Sequence, residues 1–125
     1  VMHMCCGYPN RLDDDDYPKA DPDAYVQIAR KVDGVVDQIS IEDAHRHNPG
    51  KLFELFETST LIVGFVRVAS SRLETTDEIV ERMLEVLEHV PADRLLAAPD
   101  CGLGFLGRDL ALDKLRALCA AAQSV

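Results

Sequence analysis

The feature that most constrains this chain is an alternation of two periodicities. Short apolar runs, rich in β-branched residues, are each followed by a stretch in which apolar residues return every three or four positions, and the pair recurs about four times in 125 residues. Residues 1–5 read as the end of a strand. The segment GYPNRLDDDDYPKADPD that follows holds neither period, because its prolines, glycine and aspartate run break both, and it predicts a long surface loop. Asp21 as a cap and Pro22 at the first helical position then open a helix whose stripe is Tyr25, Ile28, Ala29 and Val32, stopped by Gly34.

Residues 35–42 predict a second strand that ends at an acid, Glu42. Pro49 opens a second helix with Leu52, Phe53, Leu55 and Phe56 on one side, and residues 60–68 form a nearly continuous apolar strand of the kind covered on both faces. Thr75 followed by Glu78 fits a capping box for a third helix through Ile79, Met83, Val86, Leu87 and Val90, closed by Pro91. A short buried strand over 94–98, a glycine-rich loop over 99–107 and a helix over 109–122 through Leu110, Leu112, Leu115, Leu118 and Cys119 complete the pattern. Repeated βα units with buried strands imply an α/β fold built on a parallel sheet. An open doubly wound sheet and part of an eight-stranded barrel both satisfy that pattern. A whole barrel takes about 250 residues, so about four units amount to half of one.

Composition narrows the function. Thirteen Lys and Arg against 22 Asp and Glu leave a net charge of −9, with no basic stripe to offset it, so nucleic acid and anionic membranes are excluded as expected partners. No apolar run approaches the roughly 18 residues of a membrane span, and no secretory signal is visible. The four cysteines, Cys5, Cys6, Cys101 and Cys119, lack the spacing of a disulfide scaffold, which predicts a reducing, cytoplasmic setting. The chain opens with Val on the end of a strand, and the expectation is a fragment of a longer protein, a single partial domain over 1–125.

On the βα plan, His3 and Cys5 fall at the C-terminal end of the first strand, Glu42 at the end of the second and Cys101 just past the fourth. That rim is where parallel α/β folds build their sites. Two thiols, an imidazole and a carboxylate there make a zinc site the natural inference, since Zn²⁺ takes tetrahedral N, S and O donors. Each residue alone has a plainer account: a satisfied imidazole, an inert small side chain, a solvated strand-end acid. Cys6 could stand in for Cys5, but adjacent side chains leave a strand in opposite directions.

Taken together, the runs HMCCGYP at 3–9, ISIED at 39–43, LIVGFV at 61–66 and RLLAAPDCGLG at 94–104 resemble the C-terminal half of cobalamin-independent methionine synthase and its shorter relatives, whose pattern is H-x-C, I-S/T-I-E, G-V-x-D-I-H-S and P-D-C-G-L. The resemblance covers essentially the whole chain. It implies the C-terminal half of a TIM (β/α)8 barrel from a zinc methyltransferase, with zinc ligands His3, Cys5, Glu42 and Cys101. It also implies a small-molecule thiol substrate, homocysteine in the family's best known members, and a separate methyl donor. Glu42 is then the ligand that yields to the incoming sulfur and is the expected catalytic residue.

Departures from the pattern matter as well. Where the family has D-I-H-S this chain has Arg67, Val68, Ala69 and Ser70, so an imidazole is replaced by Ala69, which points to a shorter relative whose methyl donor is a corrinoid or another carrier. Arg67 and Arg72 are candidates to meet a substrate carboxylate. His45 and His47 read as polar loop or a second metal site, His89 as a helix end, and the aspartate run as solvated charge. Two other readings stay open: a zinc alkyltransferase acting on another thiol such as coenzyme M, and a non-catalytic zinc-binding half-barrel. Half a barrel exposes two sheet edges, so the isolated chain is expected to form a homo-oligomer and to be inactive alone.

Overall fold

The computed structural model describes every residue except Cys6 and Pro22, so the alternative role for Cys6 and the helix start at Pro22 lie outside the described residues. Four strands, β1 (Met2–Met4), β2 (Gln38–Ile41), β3 (Thr60–Val66) and β4 (Leu95–Pro99), form one parallel sheet in the order β1-β2-β3-β4. Helices α1 (Ala24–Val32), α2 (Gly50–Phe53), α3 (Thr76–Leu87) and α4 (Arg108–Ala122) follow them in turn. The order decides between the two architectures. A doubly wound sheet reverses direction at a switch point, whereas here each strand pairs with its neighbour in sequence, as in a (βα)8 barrel.

The core lies between the sheet and its helices. Ile39, Ile41, Leu61 and Val63 from the central strands are fully buried against Phe53, Phe56, Ile79, Met83 and Val86. At α3 local and tertiary signals agree: Thr75 Oγ1 accepts from the Glu78 backbone N–H, and the Glu78 carboxylate accepts from the Thr75 N–H at 2.8 Å. Those backbone contacts, followed by the guanidinium of Arg72, hold the Glu78 carboxyl down at about 2. The apolar stripe of this helix then faces the core as its spacing predicts.

Several expectations need correction. The second strand starts three residues later than predicted, and Val35 is exposed. The cause is Asp33, whose carboxylate accepts from the backbone N–H groups of Glu57, Thr58 and Ser59 and converts residues 33–37 into a tied turn. The helix after Pro49 is a single turn, because Leu55 and Phe56 bond back three residues to Leu52 and Phe53 while Phe56 enters the core. β4 is not fully buried. Among the described residues it has a neighbour on one side only, and Leu96 is 46% exposed.

Helix α1 begins at Ala24, with Asp21 accepting from the Asp23 N–H rather than capping the helix directly. Of its expected stripe, Tyr25 and Ala29 are buried and Val32 packs against the core, but Ile28 is exposed. Ile28 sits about 60° around the helix from Tyr25, at the margin of the buried face. On α4 the buried line is Lys114, Leu118 and Ala121, while Leu115 and Cys119 face outward. The aspartate run is more than solvated charge. Asp13 sits at φ +57, and its backbone N–H and carboxylate bond to Ala69 O and Ser71 N, so the long loop is pinned to the segment after β3.

Candidate metal centre

Three of the four predicted ligands meet at the C-terminal rim of the sheet. The donor atoms of His3, Cys5 and Cys101 all lie within 4.8 Å of one another. His3 Nε2 is 3.1 Å from Cys101 Sγ, and the two sulfurs are 3.6 Å apart. The fourth, Glu42, approaches from the end of β2 with Oε2 at 3.9 Å from Cys5 Sγ. A tetrahedral zinc with bonds of about 2.0–2.3 Å spaces its donors about 3.3–3.8 Å apart, so the residues present fit that ion in both type and separation.

The chain orients each donor from behind. His3 Nδ1 lies 2.9 Å from Ser40 Oγ, the residue beside it in the β1–β2 register, and this leaves Nε2 for the centre. Cys5 Sγ accepts from the Gly7 N–H at 3.4 Å, a contact made by a backbone at φ +93 that side chains rarely adopt. Glu42 is fully buried, and its Oε1 accepts from Tyr25 OH at 3.0 Å. Electrostatics favour a cation here. The Cys101 thiol is pushed up to about 12 by burial first, then by Cys5 and by the negative charges of Glu42 and Asp100. A dication reverses that penalty and holds both sulfurs as thiolates.

Asp100, immediately before Cys101, joins the two sides of the site. Its Oδ1 accepts from the backbone N–H groups of Asp43 and Ala44, and its Oδ2 from the His45 N–H and ring Nδ1, all between 2.8 and 2.9 Å. Asp43 in turn is gripped by Arg82 of α3 at 2.7 and 3.0 Å, and Asn48 donates to Asp43 Oδ1 and to Glu42 O. The ends of β2 and β4 are thereby locked together. His45 is part of this lock and His47 turns outward toward Arg82 and Glu85, so the two do not form a second metal site.

Arg67 is exposed, with its Nε donating to Ala44 O, and it borders a cleft of about 310 Å³ shared with Tyr17, Lys19, His45 and Arg72. Tyr17 OH is buried without a hydrogen-bond partner among the described residues. Burial, and after it the negative charge of Glu42, pushes that hydroxyl up to about 12. Tyr25, Asp100 and Asp43 were missed as site residues by sequence reasoning. Tyr25 was legible only as an apolar stripe position, and the acids only as neighbours of proposed ligands.

Comparison with known proteins identifies the family. Residues 21–124 match the family described as cobalamin-independent synthase, catalytic domain. The chain belongs to that family. It is 30% identical over 116 residues to the methionine synthase of Sulfurisphaera tokodaii, covering 92% of this chain and 30% of that protein. It is 51% identical over 55 residues to the 2-hydroxypropyl-CoM lyase of Xanthobacter autotrophicus, covering 44% of this chain and 15% of that one. A solved B12-independent methionine synthase from a Shewanella species, in complex with selenomethionine, superposes with a TM-score of 0.77 and 28% identity over 98% of this chain and 37% of its own. The chain thus spans between 15% and 37% of the length of these three relatives. Its fold is the TIM-barrel fold of the methionine synthase, represented by four consecutive βα units. Among the described residues no helix is long and apolar enough to cross a membrane.

Proposed function

We propose that this chain supplies the metal-holding side of a zinc-dependent methyltransferase that methylates a thiol. The observation that carries the reading is the convergence of His3, Cys5 and Cys101 with Glu42 beside them. When bound, zinc would lower the pKa of a coordinated substrate thiol so that a thiolate exists at neutral pH. With zinc bound, Cys5 and Cys101 would hold anionic sulfur at the centre, which would keep an incoming sulfur electron-rich. His3, fixed by Ser40, sets the direction of approach. Glu42, the one oxygen donor of the four, would be the ligand to give way. Arg67, exposed beside a cleft lined by Lys19 and Arg72 as well as by Asp13, Asp14 and Asp15, is the residue we assign to the acidic head of the substrate.

Homocysteine is the thiol this reading favours, because the relatives matched over most of the chain are methionine synthases. A second reading, another thiol of the coenzyme-M type, is favoured by the stretch shared with the lyase, whereas Ala69 at the position of the family's imidazole bears on the methyl donor. The test is zinc per chain by elemental analysis on protein purified without chelator or metal-binding tag, beside Cys101→Ala. About one zinc in the parent and little in the variant is expected. A parent that stays metal-free after anaerobic reconstitution with zinc would sink the reading. The surviving site is then to be offered homocysteine and coenzyme M, and the thiol that binds decides between the two.

We also propose that the chain self-associates. Among the described residues β1 and β4 each present an unpaired edge, and the half-buried Leu95 and the exposed Leu96 and Ala97 belong to one of those edge strands. A second copy pairing along these edges would cover them. Light scattering is expected to give a mass of at least two chains, and a monodisperse monomer would contradict the proposal.

A further inference from the structure

Arg46 is the rim arginine with a buried donor left unused among the described residues. Arg82 is held by Asp43 and Glu85, Arg72 by Glu78, and Arg67 by Ala44 O. The Arg46 side chain is only 7% exposed, lies over the ring of Tyr25 at 5.6 Å and donates from Nη2 to Ala20 O at 3.1 Å. Its Nη1 is buried and makes no hydrogen bond among the described residues. A buried guanidinium N–H without a partner is costly and asks for an explanation. The nearby anion is Glu42, with Oε1 at 3.9 Å from that nitrogen.

The two oxygens of Glu42 look in opposite directions. Oε2 faces Cys5 Sγ and the metal centre, whereas Oε1 faces Tyr25 and Arg46. A charge-assisted N–H···O contact closes at about 2.8 Å, so a movement of about 1 Å by the carboxylate would complete a hydrogen-bonded ion pair with Arg46. A carboxylate displaced from a metal in so buried a place is stabilised by a cation beside it. We propose that Arg46 is a positioning residue that receives the Glu42 carboxylate when an incoming thiolate takes its place among the metal ligands. No bond within the protein chain would break: with zinc bound, one oxygen would leave its ligand set, the sulfur of the thiolate would enter, and the carboxylate would pass to a guanidinium already beside it. The inference rests on the zinc reading above and deepens it, because it gives the site a built-in means of exchanging oxygen for sulfur.

Cobalt(II) in place of zinc makes the exchange visible, since each coordinated thiolate contributes to the sulfur-to-cobalt absorption. The full chain is to be loaded with cobalt and titrated with β-mercaptoethanol, beside Arg46→Met, Arg46→Gln and Arg46→Lys, with circular dichroism as the check on folding. In the parent, a third sulfur beside those of Cys5 and Cys101 is expected to raise that absorption by about half. Arg46→Met is expected to bind cobalt as the parent does but to need about tenfold more thiol to reach the same spectrum. Arg46→Lys, which keeps the charge, should stay within about threefold. If the methionine variant does not fold, Arg46→Gln carries the comparison, because it keeps a donor without the charge. A parent that takes up cobalt and thiol while the folded Met or Gln variant titrates within about twofold of it overturns the proposal alone. A parent that takes up no cobalt overturns the metal reading and this inference with it.

Discussion

Replacing Lys114 by alanine is expected to cost about 3–5 kcal/mol of folding stability, the range found when one partner of a buried ion pair is removed. Lys114 lies on α4 with its side chain fully buried, donating to Glu74 Oε2 at 2.7 Å and to the carbonyl of Arg72. Glu74 is itself buried, and its other oxygen accepts from the Arg67 backbone N–H at 3.1 Å. The pair therefore fastens the last helix to the segment that leaves β3. Without the ammonium, Glu74 is left as a buried anion with one backbone donor, and the Arg72 carbonyl loses its partner. Urea unfolding of Lys114→Ala should show a lowered midpoint at an unchanged slope. The double substitution Lys114→Met with Glu74→Gln removes both charges, keeps an acceptor for Arg67 and is expected to recover most of the loss. A single variant within about 1 kcal/mol of the parent would show that the ion pair is not what holds α4 in place.

Gly64→Ala is expected to empty the metal site out of proportion to its effect on stability. A methyl group at this position would stand 2.1 Å from Asp100 Oδ1, 2.6 Å from its Cα and 2.9 Å from its backbone nitrogen. Two of those atoms belong to backbone and cannot swing aside. The end of β4 must move, and Cys101 moves with it. Gly64 O also accepts from the Ala44 N–H, so the same displacement strains the lock between β2 and β4. Overpacking of this kind costs about 1–3 kcal/mol. The metal loss should be larger, at least about tenfold in zinc affinity, because tetrahedral ligation tolerates only about 0.2 Å of error. Gly102→Ala is the matched control: it lies directly after Cys101, and a methyl group there would meet nothing within 4 Å. Chelator competition that finds the two variants equal would separate Asp100 from the placement of Cys101.

The contrast between those glycines shows where the sequence could be read and where it could not. Both lie in the stretches that resemble the family, and neither has a local signal to tell it from the other. Gly64 matters because β3 shifts register against β4 at that point and brings Asp100 in beneath it. Tyr25 is similar. Its place on the helical stripe predicted burial, and burial is found, but its hydroxyl reaches Glu42 from 17 residues away. Lys114 shows the opposite failure: the leucines of α4 drew the stripe to one side, while the buried line runs through a lysine that Glu74 and the Arg72 carbonyl make tolerable.

By itself the sequence determined the alternation of strands and helices, the capping of α3 and the presence of His3, Cys5, Glu42 and Cys101 at strand ends. Those features depend on residues a few positions apart, whose period and chemistry are written locally. Tertiary structure decided the rest. It chose sequential strand order over a switch-point sheet, brought His3 to Cys101 across 98 positions, set Arg46 beside Glu42 and buried Lys114. The physical reason is that such contacts are fixed by how the sheet and its helices pack together, and no short window of residues carries that information.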